Sequence, residues 1–166
     1  MLSSLLSSSI TKAELTCLDD SSLSITVPFN PTTFKLGRKV NWAEQKPALQ
    51  PWGSLQYGNG SCDTMQVSLL LDESESDDSV LEDIEGFFEL TMPMKISSDV
   101  IRPPAVVFEW DEFRFLGVIS SLDVEVLLFD ENGAPKRAMV SLGLTGRAFA
   151  EASSSEEFFS QTYSPS

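Results

Sequence analysis

Histidine is absent from this sequence and basic residues are scarce: 11 Lys and Arg stand against 25 Asp and Glu, a net charge of −14. Without histidine, the commonest general base and the commonest nitrogen ligand for metals are missing. Without clustered Lys and Arg there is nothing to grip a phosphate backbone, so no nucleic acid is expected as a partner. The acidic excess leaves two readings, a well-solvated surface or a field that steers basic partners over a screening length of about 10 Å. Cysteine is rare too. Cys17 and Cys62 are too few and too far apart for a disulfide framework or a zinc site. No apolar run nears the ~18 residues needed to span a bilayer, so no membrane insertion is expected. Residues 1–10 are Ser-rich with Leu2 and the pair Leu5-Leu6 but lack the basic start and apolar centre of a secretory signal, which implies synthesis in the cytoplasm.

What is present is a chain of 166 residues with 42% hydrophobic content, suited to one domain with a real core. Its most patterned stretch lies between Arg102 and Gly146. From Leu116 the even positions are Leu116, Val118, Ser120, Leu122, Val124, Val126 and Leu128, a nearly unbroken apolar row at the two-residue period of a strand. The opposite row carries Asp123 and Glu125. Asp130-Glu131-Asn132-Gly133 supplies a turn, and Ala138, Val140, Leu142 and Leu144 repeat the period on the way back. A long antiparallel hairpin follows, apolar on one face and mixed on the other.

Ahead of it, residues 12–18 alternate Ala13, Leu15 and Cys17 against polar neighbours, a half-buried strand in which Cys17 is a buried free thiol. A polar turn leads to a second strand with Leu23, Ile25 and Val27. Phe29-Asn30-Pro31 ends that hairpin, since Pro31 donates no ladder bond and holds Asn30 extended. Residues 34–60 show no sustained period, and they hold Lys35, Arg38, Lys39 and Lys46 together with Trp42 and Trp52. A long irregular segment within a domain is usually functional or ordered by a partner, and Trp is a favoured interface anchor. The same segment could instead fold back over its own core.

Residues 64–72 alternate as a further strand, with Met65, Val67, Leu69 and Leu71 on one side. The acidic stretch 72–78 leads into a helix over about 78–90, its stripe made of Val80, Ile84, Phe87 and Phe88 and widened by Leu81. Carboxylates at Asp77, Asp78 and Glu82 suit a helix start and lack the spacing and glycine of a calcium loop. Met92-Pro93 stops the helix. Residues 105–110 form another strand, and beyond Gly146 the pattern decays into a Ser- and Glu-rich tail carrying Phe158, Phe159 and Tyr163.

The order and spacing of several pieces resemble a known family. Arg102-Pro103-Pro104 leads into Val107-Phe108-Glu109-Trp110; Phe113-x-Phe115-x-Gly117-Val118 follows; then come Leu128-Phe129-Asp130-x-x-Gly133-x-Pro135-x-Arg137-Ala138. Together with Phe29-Asn30-Pro31 they look like the tube-type domain of contractile injection systems, and specifically the hub or adaptor joining spike to tube in phage-tail-like particles. The family often has Gly where Asp111 stands, and longer relatives continue past the domain into a LysM module that this sequence does not show.

The expected fold class is therefore mainly β with one helix (α+β), a tail-tube-like antiparallel β-barrel or sandwich with a long hairpin and a flanking α-helix. The expected organisation is an arm over 1–11, a tube-type domain over 12–146 with an irregular loop over 34–60, and a flexible tail over 147–166. The resemblance implies a hexameric ring of copies that adapts the spike to the inner tube and initiates its assembly. Implied partners are copies of itself, the spike, the inner tube protein and other baseplate components. Phe29, Asn30, Pro31, Trp42, Trp52, Arg102, Trp110, Phe158 and Phe159 are the candidate subunit or ring contacts, and Asp123 and Glu125 the candidate channel-facing residues. Alternatives are the main inner-tube subunit of the same particle, or a monomeric acidic β-domain that binds a ligand or protein. Nucleophile-elbow, phosphate-loop and dinucleotide patterns are absent. The carboxylate pair Asp123 and Glu125 points one way from one strand, as a solvated face does. No catalytic role, cofactor or metal is expected.

Overall fold

A computed structural model describes residues 11–28, 30–46, 48–49, 51–150 and 155–160. The chain is mainly antiparallel β, with the elements β1 (Glu14–Cys17), β2 (Ser24–Thr26), β3 (Phe34–Gly37), β4 (Val40–Gln45), β5 (Ser54–Gly60) and β6 (Asp63–Asp72), then α1 (Leu81–Glu89). After the helix come β7 (Met94–Lys95), β8 (Ile101–Arg102), β9 (Val106–Trp110), β10 (Phe113–Phe129), β11 (Pro135–Ala148) and a short α2 (Ser155–Ser160). Seven strands make one sheet in the order β2-β1-β9-β10-β11-β6-β3, while β4 with β5 and β7 with β8 form separate pairs. The sheet curls until Phe34 of β3 stacks on Phe113, with centroids 4.7 Å apart, and meets the edge of Trp110 at 6.4 Å. It remains open, with β2 and β3 as its edges.

The inside of the curl is the core. Leu15 and Cys17 of β1, Met65, Leu69 and Leu71 of β6, Phe108 of β9, Phe115 of β10, and Ala138, Val140 and Leu144 of β11 are almost wholly buried there. At about 1.5–3 kcal/mol for each large apolar side chain taken from water, this cluster is the main source of stability. Cys17 is free and buried, and Cys62 is free and exposed. The helix closes the curl with Val80, Ile84, Phe87 and Leu90. Leu81 and Phe88, expected in its apolar stripe, are 48% and 44% exposed. Ser79 fastens the helix start: its hydroxyl accepts the Leu81 N–H and donates to the Pro135 carbonyl at 2.9 Å.

The structure corrects the parity of the long strand. β10 and β11 pair residue for residue, but Ile119 faces Leu144 and Ser121 faces Gly143, which leaves Ser120 as an extra residue. A bulge of this kind shifts side chains to the other face. Phe115 and Ile119 therefore join Leu122, Val124 and Val126 on the core side, while Leu116 packs with Val107 on the outer side. A second bulge at Leu127 turns Leu128 toward Arg137, where it is 40% exposed.

The reading of 34–60 as irregular is corrected as well: the segment holds β3, β4 and β5. Two-residue apolar spacing is present in Val40 and Trp42, but no core extends it, because every residue of β4 and β5 is exposed. A Gly58 bulge between Trp42↔Tyr57 and Asn41↔Asn59 hides the period further. At the other end of the domain, β11 runs on to Ala148 and α2 occupies part of the expected tail. The turns are tight. Gly133 takes φ 87°, and the Asp130 carboxylate accepts the Asn132 and Ala134 N–H groups at 2.8 and 2.9 Å. Asp111 takes φ 55° between paired Trp110 and Phe113, the left-handed geometry that Asp tolerates better than most residues.

Candidate assembly surface

Three features remain unpartnered around this core. The first is a pair of sheet edges. Among the described residues β9 pairs with β10 only from Phe113 to Gly117, so β10 continues over residues 118–129 paired with β11 alone. On the other flank β3 covers β6 only from Thr64 to Val67, and no described strand pairs with residues 68–72 on that side. Open edges present unpaired N–H and C=O groups that join readily to another strand.

The second is the outer face of β10, β11 and β6. Alternation places Ser121, Asp123 and Glu125, Ser141 and Thr145, and Thr64, Gln66 and Ser68 there, most of them exposed. Asp123 and Glu125 sit together on this face, opposite Ser141 and Met139.

The third is the β4–β5 arm. Trp42 meets Tyr57 edge to face at 5.6 Å and Leu55 lies on the same side opposite Glu44, so one face of the arm is aromatic and apolar but for one carboxylate. The other carries amides, with Asn41 donating to Asn59 at 2.7 Å and Gln45 to Gln56. Trp42 is 57% and Trp52 74% exposed. The arm's root is held firmly. Arg38, between β3 and β4, donates from Nε and Nη2 to Asp63 at 2.5 and 2.6 Å, and the same carboxylate accepts the Ala148 N–H at 3.0 Å. The Arg38 hydrogen bonds hold the Asp63 carboxyl below the ordinary carboxylate range despite its burial. A cleft lies beside this clamp, lined by Arg38, Val40, Tyr57, Asp63 and Arg147.

The other expected contact residues are engaged within the chain. Asn30 accepts the Ala13 N–H at 2.9 Å and donates to the Thr11 carbonyl at 2.8 Å. Trp110 donates to that same carbonyl at 3.2 Å, and Pro31 is buried, so the three pin the start of β1. Phe29 lies outside the described residues. Arg102 donates to Asp19 at 3.0 Å and stacks over Phe159 with 3.9 Å to the ring centroid. Phe158 packs near Val107 and Leu116. Sequence reasoning missed Asp19, Asp63 and Arg38, because a lone buried carboxylate leaves no periodic trace. It missed Leu55 and Tyr57, although their two-residue spacing was available.

Among the described residues no group of three or more His, Cys, Asp or Glu side chains could hold a metal ion. Nor is any described helix long and apolar enough to cross a membrane. No curated protein sequence matches the chain. Solved structures that match the chain include two at 12% identity, each aligned over 89% of this chain and 100% of that one. They are the tail of an empty GTA particle, with C6 symmetry, at TM-score 0.44, and the virion of a native gene transfer agent particle, at 0.42. The family model for contractile injection system tube proteins matches residues 9–155, and the chain belongs to that family.

Proposed function

We propose that this chain is a ring-forming adaptor between the spike and the inner tube of a contractile injection particle, on which the first tube ring is laid. The observation that carries this reading is the pair of open edges on one sheet, residues 118–129 of β10 and 68–72 of β6. Copies arranged in a closed ring bring one edge against the other, which satisfies the unpaired backbone groups and leaves no exposed edge. In such a ring, hexameric by the family's pattern, the outer face of β10, β11 and β6 lines the channel. Asp123 and Glu125 then stand in a hydroxyl- and amide-rich wall that repels acidic cargo and gives little apolar surface for a passenger to stick to.

The aromatic face of the β4–β5 arm serves as the contact to a neighbouring subunit or ring, with Trp42, Tyr57 and Leu55 as anchors. Its clamp at Asp63 fixes the direction in which the arm leaves the domain. The role is mechanical rather than catalytic. A second reading, the main inner-tube subunit, is favoured by the same open edges and differs in copy number. Particles recovered through a tagged copy of the chain decide between them: about one ring of copies per spike trimer supports the adaptor, and many rings make it the tube subunit. Recovery as a monomer without spike, tube or sheath partners would overturn both.

A further inference from the structure

Among the described residues the outer face of the sheet carries a buried apolar spot where β9 meets β10. Val107 and Leu116 are buried there, with Leu18, Ala150 and Phe158 packed against them. Phe158 comes from α2, which has 6 residues. A helix that short does not sustain itself in water, so α2 exists because it is docked. Its other described ties are the Arg147 guanidinium 5.9 Å from the Phe158 ring centroid, the Ser155 hydroxyl donating to Asp19, and Phe159, 49% exposed, lying under the Arg102 guanidinium.

The docking ground is built to survive undocking. Asp19 has a side chain only 3% exposed, yet without Ser155 it keeps Arg102 at 3.0 Å and the Ala105 N–H at 2.8 Å. Arg102 keeps Asp19 and the Pro103 carbonyl. Release of α2 therefore leaves the Asp19 carboxylate paired, and it uncovers the apolar spot of Leu18, Val107 and Leu116.

The location gives this meaning. β9 stops pairing with β10 at Gly117, so the spot lies at the point where the open edge of β10 begins. Covering an edge with a helix or loop is one way proteins keep it from pairing prematurely. The family match covers residues 9–155 and does not extend along α2. We propose that α2 is a removable latch which competes with a second copy of this chain for the β9–β10 junction, and that ring closure displaces it. The proposal rests on the ring reading given above. The occupant is a second copy because the open edge continuing from the spot is filled by another strand of this kind of sheet, and residues 68–72 of β6 offer one.

The test compares three proteins by sedimentation over a concentration series: the full chain, a chain truncated after Ala150, and Phe158→Ala in the full chain. Circular dichroism and denaturant unfolding establish that each is folded. The latch predicts that truncation lowers the concentration for half-assembly at least about fivefold, the equivalent of about 1 kcal/mol. Phe158→Ala should fall between the two, and a synthetic peptide of residues 151–166 added to the truncated chain should raise its threshold again. Equal thresholds, or a higher one on truncation of a folded chain, would overturn the latch while leaving the ring intact. Failure of the full and truncated chains to assemble at any concentration, with or without the spike, would overturn the ring and the latch with it.

Discussion

Replacing Asp63 by Ala probes the joint that carries the arm. The Asp63 side chain is 7% exposed and accepts three hydrogen bonds, two from Arg38 and one from the Ala148 backbone. Its loss leaves the Ala148 N–H unsatisfied, at about 1–3 kcal/mol, and removes a charge-assisted pair worth roughly 1.5–3 kcal/mol where buried. Arg38, 64% exposed, recovers water when released, so the pair counts toward the low end of that range. The expected loss is about 2–4 kcal/mol, read in urea as a midpoint lowered on the order of 1–2 M. Asp63→Asn retains an acceptor for Ala148 and should lose about half as much. The sign with pH follows from the lowered carboxyl. The Asp63 contribution is fully present above the ordinary carboxylate value of about 3.9 and is lost as pH falls through the lowered folded value. The gap between wild type and Asp63→Ala should therefore close in acid. A gap below about 0.5 kcal/mol at neutral pH, the ordinary range for surface changes, would refute the clamp.

Gly146→Ala should be among the most damaging small changes. The new methyl would meet the Leu116 backbone oxygen and lie 2.8 Å from its carbonyl carbon; a loss of about 3 kcal/mol or more in chemical denaturation is expected. Phe87→Ala empties the helix's main anchor, fully buried in the core, and should cost about 3–5 kcal/mol by the same assay. Trp42→Ala and Trp52→Ala remove exposed side chains, so monomer stability should change by less than about 0.5 kcal/mol while ring assembly, measured by sedimentation, weakens. An unfolded monomer in either case would place those residues in a core. Burial, followed by the nearby charges of Glu73 and Glu82, raises the Asp83 carboxyl. That group therefore destabilises the fold above its raised value and is relieved as pH falls through it. Asp83→Asn should be the more stable protein at neutral pH, with the advantage fading in acid.

Where a side chain meets a core, the sequence carries the pattern plainly. Ala138, Val140, Leu142 and Leu144 alternate because one side of β11 is buried along its whole length, and all four are buried as expected. Val80, Ile84 and Phe87 likewise mark the helix. The row on β10 misled because a bulge is one inserted residue with no composition of its own; Ser120 looks like any polar gap in an apolar row. The arm was hidden for the opposite reason. Its strands touch no core, so the period is confined to the short pairs Val40 with Trp42 and Leu55 with Tyr57, and the Gly58 bulge interrupts it. Trp42 and Trp52 were visible as candidates by residue type alone. The clamp at Asp63 and the seat at Asp19 were not, since each joins residues far apart in the chain, Arg38 with Ala148 and Arg102 with Ser155.

Backbone hydrogen exchange over residues 118–129 tests the central claim most directly, compared between the isolated chain and the assembled particle. Edge pairing predicts that amides of β10 facing away from β11, fast in the isolated chain, become protected on assembly, together with those at the open end of β6 over 68–72. Exchange that stays fast along both edges in assembled particles would contradict the account.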